Sequence, residues 1–243
     1  MKSKKITAII QAHMSSERLP QKIMLDLEGE PVLFRMLERV KHSKLIDTIV
    51  VATSDLSCDD IVASSCKIWG VEVSRGSDSD VLSRYWKAAQ EYPSDVYMRL
   101  TSDSPLIDPD YLDMCVDFYL AHSYRYVAGD GKNPIGIGCE LFTAELLKEA
   151  AEKSTEPFEH EHVTPYMYWK QDSIGRVPSL RDATGIRITL DTKEDYEVIK
   201  TIYHELYQPG NRFTMNEILD YLEAHPEVAA INAAVEQKKV KTN

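Results

Sequence analysis

Short apolar runs alternate with amphipathic helical patterns over the first 121 residues, and few folds accept that alternation. Residues 6 to 12, Ile-Thr-Ala-Ile-Ile-Gln-Ala, are nearly continuously apolar, as a parallel strand covered on both faces requires. Pro31 then opens a helical pattern with Val32, Leu33, Met36, Leu37 and Val40 on one face. Thr48 to Thr53 reads as a second buried strand, 59–69 as a helix, 71–74 as a short strand and 79–91 as a helix ending before Pro93. A strand over 95–101 and a helix over 109–121 complete the series. Strand, crossover helix and strand at this spacing imply βαβ units, hence a three-layer α/β fold with a mainly parallel sheet.

After residue 124 the alternation loosens. Strands are expected at 125–128, 138–142, 174–178 and 186–190, and helices at 143–153, 160–169, 193–207, 214–224 and 226–237. No Gly-, Pro- or Ser-rich linker intervenes, so this section extends the same sheet within a single domain over 1–243. Its parts are a core at 5–128, a mixed section at 129–210 and C-terminal helices at 211–243. The basic tail Lys238-Lys-Val-Lys241 reads as a solvated chain end.

Composition removes several function classes. A net charge of -11 leaves no excess of Lys and Arg to neutralise a nucleic-acid backbone. Cys58, Cys66, Cys115 and Cys139 are widely spaced with no C-x-x-C pair, which argues against a zinc site or a disulfide framework. The apolar run behind the basic Met1-Lys-Ser-Lys-Lys5 is too short for a signal core or a membrane span. The chain is therefore expected to be cytoplasmic, away from any membrane.

In α/β sheets ligands bind beyond the carboxyl ends of the strands, which directs attention to the loop after the first strand. It reads Gln11-Ala-His13-Met-Ser15-Ser16-Glu17-Arg18-Leu19-Pro20-Gln21-Lys22, with neither a dinucleotide-binding glycine fingerprint nor a P-loop. Arg18 can fork onto phosphate oxygens, Lys22 supplies a compact charge, and Ser15 and Ser16 let backbone N–H groups approach an anion. The same residues would serve an ordinary solvated loop, and residue chemistry alone leaves both readings standing. Two carboxylates stand at later strand ends: Asp103 after Leu100, and Asp191 after Leu190. They could share one hard cation with substrate phosphates; each could equally cap a helix.

The loop resembles the R-x-G-S-x-R-L-P-G-K signature of cytidylyltransferases that activate acidic sugars, and is most similar to the SpsF family. That family is related to the 3-deoxy-manno-octulosonate and acylneuraminate cytidylyltransferases. The resemblance continues through Leu25 to Leu33, Ser43 to Thr53, Arg75-Gly-Ser77, Asp80 to Tyr85, Asp103-Ser-Pro-Leu-Ile-Asp-Pro109, Glu161-His-Val-Thr-Pro165-Tyr and Leu190-Asp-Thr-Lys-Glu-Asp195. It implies the Rossmann-like fold of the nucleotide-diphospho-sugar transferases and a homodimer built from the less regular C-terminal half. His13, Ser15 and Gln21 stand where the family has Arg, Gly and Gly, which shifts weight to Ser16, Arg18 and Lys22.

The resemblance implies a nucleotidyltransferase in which a sugar hydroxyl attacks the α-phosphorus of CTP and pyrophosphate leaves. Lys22, Arg18 and Asp103 are the implied catalytic residues, and Asp103 with Asp191 would hold Mg²⁺. The nucleotide would lie on Ala12, His13, Ser15, Ser16, Arg18, Lys22, Arg75, Ser77, Thr101 and Ser102. On the acceptor side, Glu140 sits among apolar neighbours, as a charge presented at a cleft would, and His162 matches the family's E-H-V-T-P-Y. Ile135 and Gly138 replace two acidic positions of the family. His160 reads as solvated, and its i, i+2 spacing from His162 is wrong for a zinc pair on a helix. Arg84 and Tyr85 read as helix packing and solvation, and Tyr166, Tyr168 and Trp169 as core or dimer packing. Two alternatives remain: another nucleoside triphosphate with a phosphorylated or non-sugar acceptor, and a non-catalytic nucleotide- or glycan-binding relative.

Overall fold

A computed structural model describes residues 4–237. In chain order its first half carries β1 (Ile6–Gln11), the two-residue hairpin strands β2 (Asp26–Leu27) and β3 (Glu30–Pro31), and α1 (Val32–Val40). β4 (Thr48–Ser54), α2 (Asp60–Ile68), β5 (Glu72–Gly76), α3 (Val81–Glu91), β6 (Val96–Thr101) and α4 (Pro109–Ala121) follow. The second half carries β7 (Tyr126–Gly129), β8 (Glu140–Thr143), α5 (Ala144–Lys153), α6 (Pro157–His162), α7 (Pro165–Trp169) and β9 (Gly175–Val177). Helices α8 (Lys193–Leu206), α9 (Met215–Ala224) and α10 (Pro226–Ala230) close it.

Seven strands form one sheet in the order β5-β4-β1-β6-β8-β7-β9. β5, β4, β1 and β6 are mutually parallel, and β8 enters antiparallel to both β6 and β7. Alternation along β1 divides the core. Ala8 and Ile10 join residues of α1, α4, α8 and α9 on one face, whereas Ile9 joins residues of α3, α5 and α7 on the other. The continuous apolar runs are thus strands buried on both faces, as all-parallel strands must be. The chain leaves β1 toward β4 and β5, then returns to β6 on β1's other side. The carboxyl ends of β1 and β6 therefore flank a topological switch point, the crevice where α/β sheets bind ligands.

Three expected elements differ. Residues 186–190 form no strand; the contact there is one isolated parallel bridge between Ile135 and Arg187. The expected helix 160–169 is two short ones, α6 and α7, separated by Val163 at φ 70, ψ -54. The Thr164 N–H donates to the His162 carbonyl at 2.8 Å, which makes this the uncommon positive-φ γ-turn, strained for a β-branched residue. The last helix ends at Ala230 and continues as turns, because the Asn232 side chain is drawn inward. The basic tail at 238–241 lies outside the described residues. No described helix is long and apolar enough to cross a membrane.

Candidate active site

The loop after β1 is held from beneath by one buried carboxylate. Asp59 accepts the Met14 N–H at 2.7 Å and both the N–H and the hydroxyl of Ser54, at the end of β4. The loop returns to Met14 when the Gln21 N–H donates to its carbonyl at 3.1 Å. Gln21 adopts the left-handed conformation, φ 60 and ψ 19, and a single 3₁₀ turn over Lys22–Met24 follows. That turn carries the Lys22 side chain inward, where it is 8% exposed.

There Lys22 Nζ donates to Leu190 O at 2.7 Å, Asp191 Oδ1 at 2.9 Å and Asp103 Oδ2 at 3.3 Å. Arg18 pairs with the other oxygen of Asp191 at 2.9 Å, and Arg187 reaches the same oxygen at 3.0 Å. Asp103 Oδ1 accepts the Thr101 hydroxyl at 2.6 Å. Burial works against the Asp191 charge, but Lys22, Arg18 and Arg187 outweigh it, so its carboxyl titrates below the usual range. Arg18, Lys22, Asp103 and Asp191, which are 173 residues apart at the extremes, thus meet beside the ends of β1 and β6.

The helix-cap reading of both carboxylates is removed. Thr192 caps α8, its hydroxyl accepting the Asp195 N–H, and Asp195 returns to the Thr192 N–H. Asp108, not Asp103, caps α4. A second layer fixes Asp191 in place. Arg187 forks onto the fully buried Asp195 at 2.8 and 2.9 Å, and Asn232 Nδ2 donates to Arg187 O and Asp195 Oδ1. The C-terminal turn thereby reaches under the charged cluster.

His13 is half-buried and hydrogen-bonds the Ser15 hydroxyl through Nδ1 at 2.9 Å. Burial, then the nearby Arg84 and Lys22 charges, push its pKa below 6.5. Arg84 is not solvated as expected; it is 3% exposed and donates to the carbonyls of Ser77 and Asp78, while its Nε has no acceptor. Ser16 is half-buried, and Ala12 is fully buried, its N–H donating to Ala52 O. Ser102 is buried, with its N–H on Gln11 O. Arg75 spends its guanidinium on Ser54 O, Leu56 O and Asp60, where it fixes the β4–α2 loop. The Ser77 hydroxyl accepts the Asp80 N–H.

On the sheet face of α3 and α5, Glu140 is the centre of a second polar cluster. It accepts from Arg99 Nη1 at 2.6 Å, from the Thr164 hydroxyl at 2.9 Å and from the Tyr126 hydroxyl. Burial opposes the Arg99 charge and Glu140 more than restores it, raising its pKa. His162 ends α6, one residue before the strained Val163. His160, expected in solvent, pairs with Asp80 at 3.0 Å and with Ser154 O. Among the described residues no group of three or more His, Cys, Asp or Glu side chains forms a metal cluster. Two carboxylates and one backbone carbonyl, converging on the Lys22 ammonium, are hard-oxygen donors of the kind a Mg²⁺-like cation shares with substrate phosphates.

A profile described as Cytidylyltransferase matches residues 7–236. The chain belongs to the cytidylyltransferase family. The spore coat polysaccharide biosynthesis protein SpsF of Bacillus subtilis is 34% identical over 236 residues, 92% of this chain and 96% of that protein. An uncharacterized protein of Methanocaldococcus jannaschii is 36% identical over 98% of both chains. The solved structure of a cytidylyltransferase from Leptospira borgpetersenii superposes with a TM-score of 0.87 at 32% identity, covering 98% of this chain and 100% of that one. This cytidylyltransferase is accordingly a nucleotidyltransferase of the SpsF type, moving CMP from CTP.

Three residues close to the charged cluster escaped the sequence reading. Arg84 shares the i, i+3, i+4 ridge of Val81, Tyr85 and Ala88, so its burial was encoded in the helical period. Arg187 interrupts the apolar run Ile186 to Leu190 four residues before Asp191, a signal of a charge turned inward. Asn232 offered no local signal.

Proposed function

We propose that this enzyme transfers CMP from CTP to a hydroxyl of a sugar or sugar acid, with release of pyrophosphate, in surface polysaccharide synthesis. The observation that carries the proposal is the convergence of Lys22 and Arg18 with Asp103 and Asp191 at the switch point. The SpsF likeness supports a polysaccharide product. Asp103 and Asp191 would hold Mg²⁺, which when bound supplies charge neutralisation at the phosphate oxygens. Lys22 and Arg18 would offset charge on the α-phosphate and the departing pyrophosphate. The acceptor hydroxyl oxygen forms the new bond to phosphorus as the bond to pyrophosphate breaks and the hydroxyl proton passes to water, with no covalent enzyme intermediate, so positioning and fixed charge provide most of the acceleration.

Ala12, His13, Ser15, Ser16, Thr101 and Ser102 would line the nucleotide. Arg75, its guanidinium already engaged, would act there by shaping the β4–α2 loop, with Ser77 beside it. Glu140 and His162 would bind the acceptor. The working form is proposed to be a cytoplasmic homodimer; four unpaired cysteines, three of them buried, fit a reducing compartment. The test is pyrophosphate release with CTP, Mg²⁺ and a panel of sugar acids, neutral sugars and sugar phosphates. Release that requires CTP and a sugar hydroxyl supports the proposal; release only with another triphosphate or a phosphorylated acceptor overturns it.

A further inference from the structure

Lys22 is saturated. An ammonium has three N–H donors, and the three acceptors Leu190 O, Asp191 Oδ1 and Asp103 Oδ2 account for all of them. The side chain is 8% exposed, so little of it faces water. In this arrangement Lys22 has no donor left for a phosphate oxygen. It also stands at the point where the two carboxylates converge. The remaining carboxylate oxygens face elsewhere: Asp191 Oδ2 is taken by Arg18 and Arg187, and Asp103 Oδ1 by Thr101. The charges of the cluster already balance, with Asp103, Asp191 and Asp195 against Arg18, Lys22 and Arg187.

We propose that the Lys22 ammonium and a divalent cation occupy the same position in turn, so that the metal enters between Asp103 and Asp191 only when a triphosphate draws Lys22 away. This rests on the reading that these two carboxylates take a divalent cation. A dication and an ammonium on the same two oxygens repel each other, so entry of one requires exit of the other. Lys22 in turn leaves three good acceptors only for stronger ones, and the oxygens of a nucleoside triphosphate are such acceptors. The Leu190 carbonyl, released by the same movement, becomes a third hard oxygen facing the vacated point. Triphosphate and metal therefore tighten each other's binding, and the coupling is reciprocal. Metal without nucleotide finds the site closed.

The experiment is a Mn²⁺ titration by electron paramagnetic resonance on the whole protein without nucleotide. It compares wild type, Asp103→Asn, Lys22→Met and Lys22→Met/Asp103→Asn, with circular dichroism to confirm folding. In wild type, Asp103→Asn is expected to leave Mn²⁺ affinity unchanged, because Lys22 fills the position. Lys22→Met is expected to bind Mn²⁺ roughly tenfold more tightly than wild type, within the usual range of such couplings. Adding Asp103→Asn to it is expected to abolish the gain. Tight Mn²⁺ binding by wild type that Asp103→Asn removes overturns the proposal, as does an unchanged affinity in Lys22→Met. If Lys22→Met does not fold, Lys22→Gln replaces it, and the wild-type comparison decides on its own. The readout needs neither acceptor nor turnover, so a failure of pyrophosphate release is a separate result.

Discussion

Gln21 occupies a backbone conformation that favours glycine, φ 60 and ψ 19, with its side chain exposed. The turn that delivers Lys22 thus accounts for the family's glycine at this position. Gln21→Gly is expected to stabilise the fold by about 0.5–1 kcal/mol, the left-handed cost less the added chain entropy, read from the denaturant midpoint. His13 gives a second prediction. Its pKa is depressed in the folded state, so the unfolded chain takes up a proton first, and stability falls as pH drops below 6.5. Between pH 7 and 5 wild type should lose more stability than His13→Asn, and nuclear magnetic resonance should place the imidazole below 6.5. Lys22, Arg18 and Asp103 became candidates through the family resemblance, because residue chemistry alone also allowed a solvated loop and a helix cap. Asp191 was not decided by sequence, since a cap and a ligand ask for the same residue; only the Thr192 capping box separates them.

At the level of elements, β1, β4 and β6 were readable because apolar runs buried on both faces need no partner to be recognised, whereas the edge strand β5 carries only Val73 as a large apolar residue. Where long-range contacts outvote local pattern, sequence was insufficient. The γ-turn at Val163 breaks a helical period so that Thr164 can reach Glu140, 24 residues away, and the final helix stops so that Asn232 can reach Arg187 and Asp195. Segment 186–190, apolar enough for a strand, is instead bonded to Asp103 O through the Leu190 N–H at 2.8 Å, which places Asp191 beside Asp103. The Arg187–Asp195 pair is the fixed point of this region. Asp195→Ala leaves Arg187 buried without its main partner and is expected to cost roughly 3–5 kcal/mol in chemical unfolding. A change under about 1 kcal/mol would show that the pair does not anchor the segment.

For the whole molecule, a net charge of -11 coexists with a local concentration of Arg18, Lys22, Arg84 and Arg187 near the switch point. Composition pointed away from nucleic acid but could not register cations gathered from distant segments. Light scattering is expected to give twice the chain mass for the proposed homodimer; the mass of one chain would contradict it. The central claim is that the triphosphate of CTP lies between the Arg18–Lys22 loop and the Asp103–Asp191 pair. The most direct measurement is a crystal structure with a non-hydrolysable CTP analogue and Mg²⁺. It should place phosphate oxygens on Arg18 and Lys22, with Asp103 and Asp191 holding the metal. A triphosphate seated elsewhere, with Lys22 still bound to both carboxylates, would contradict the account.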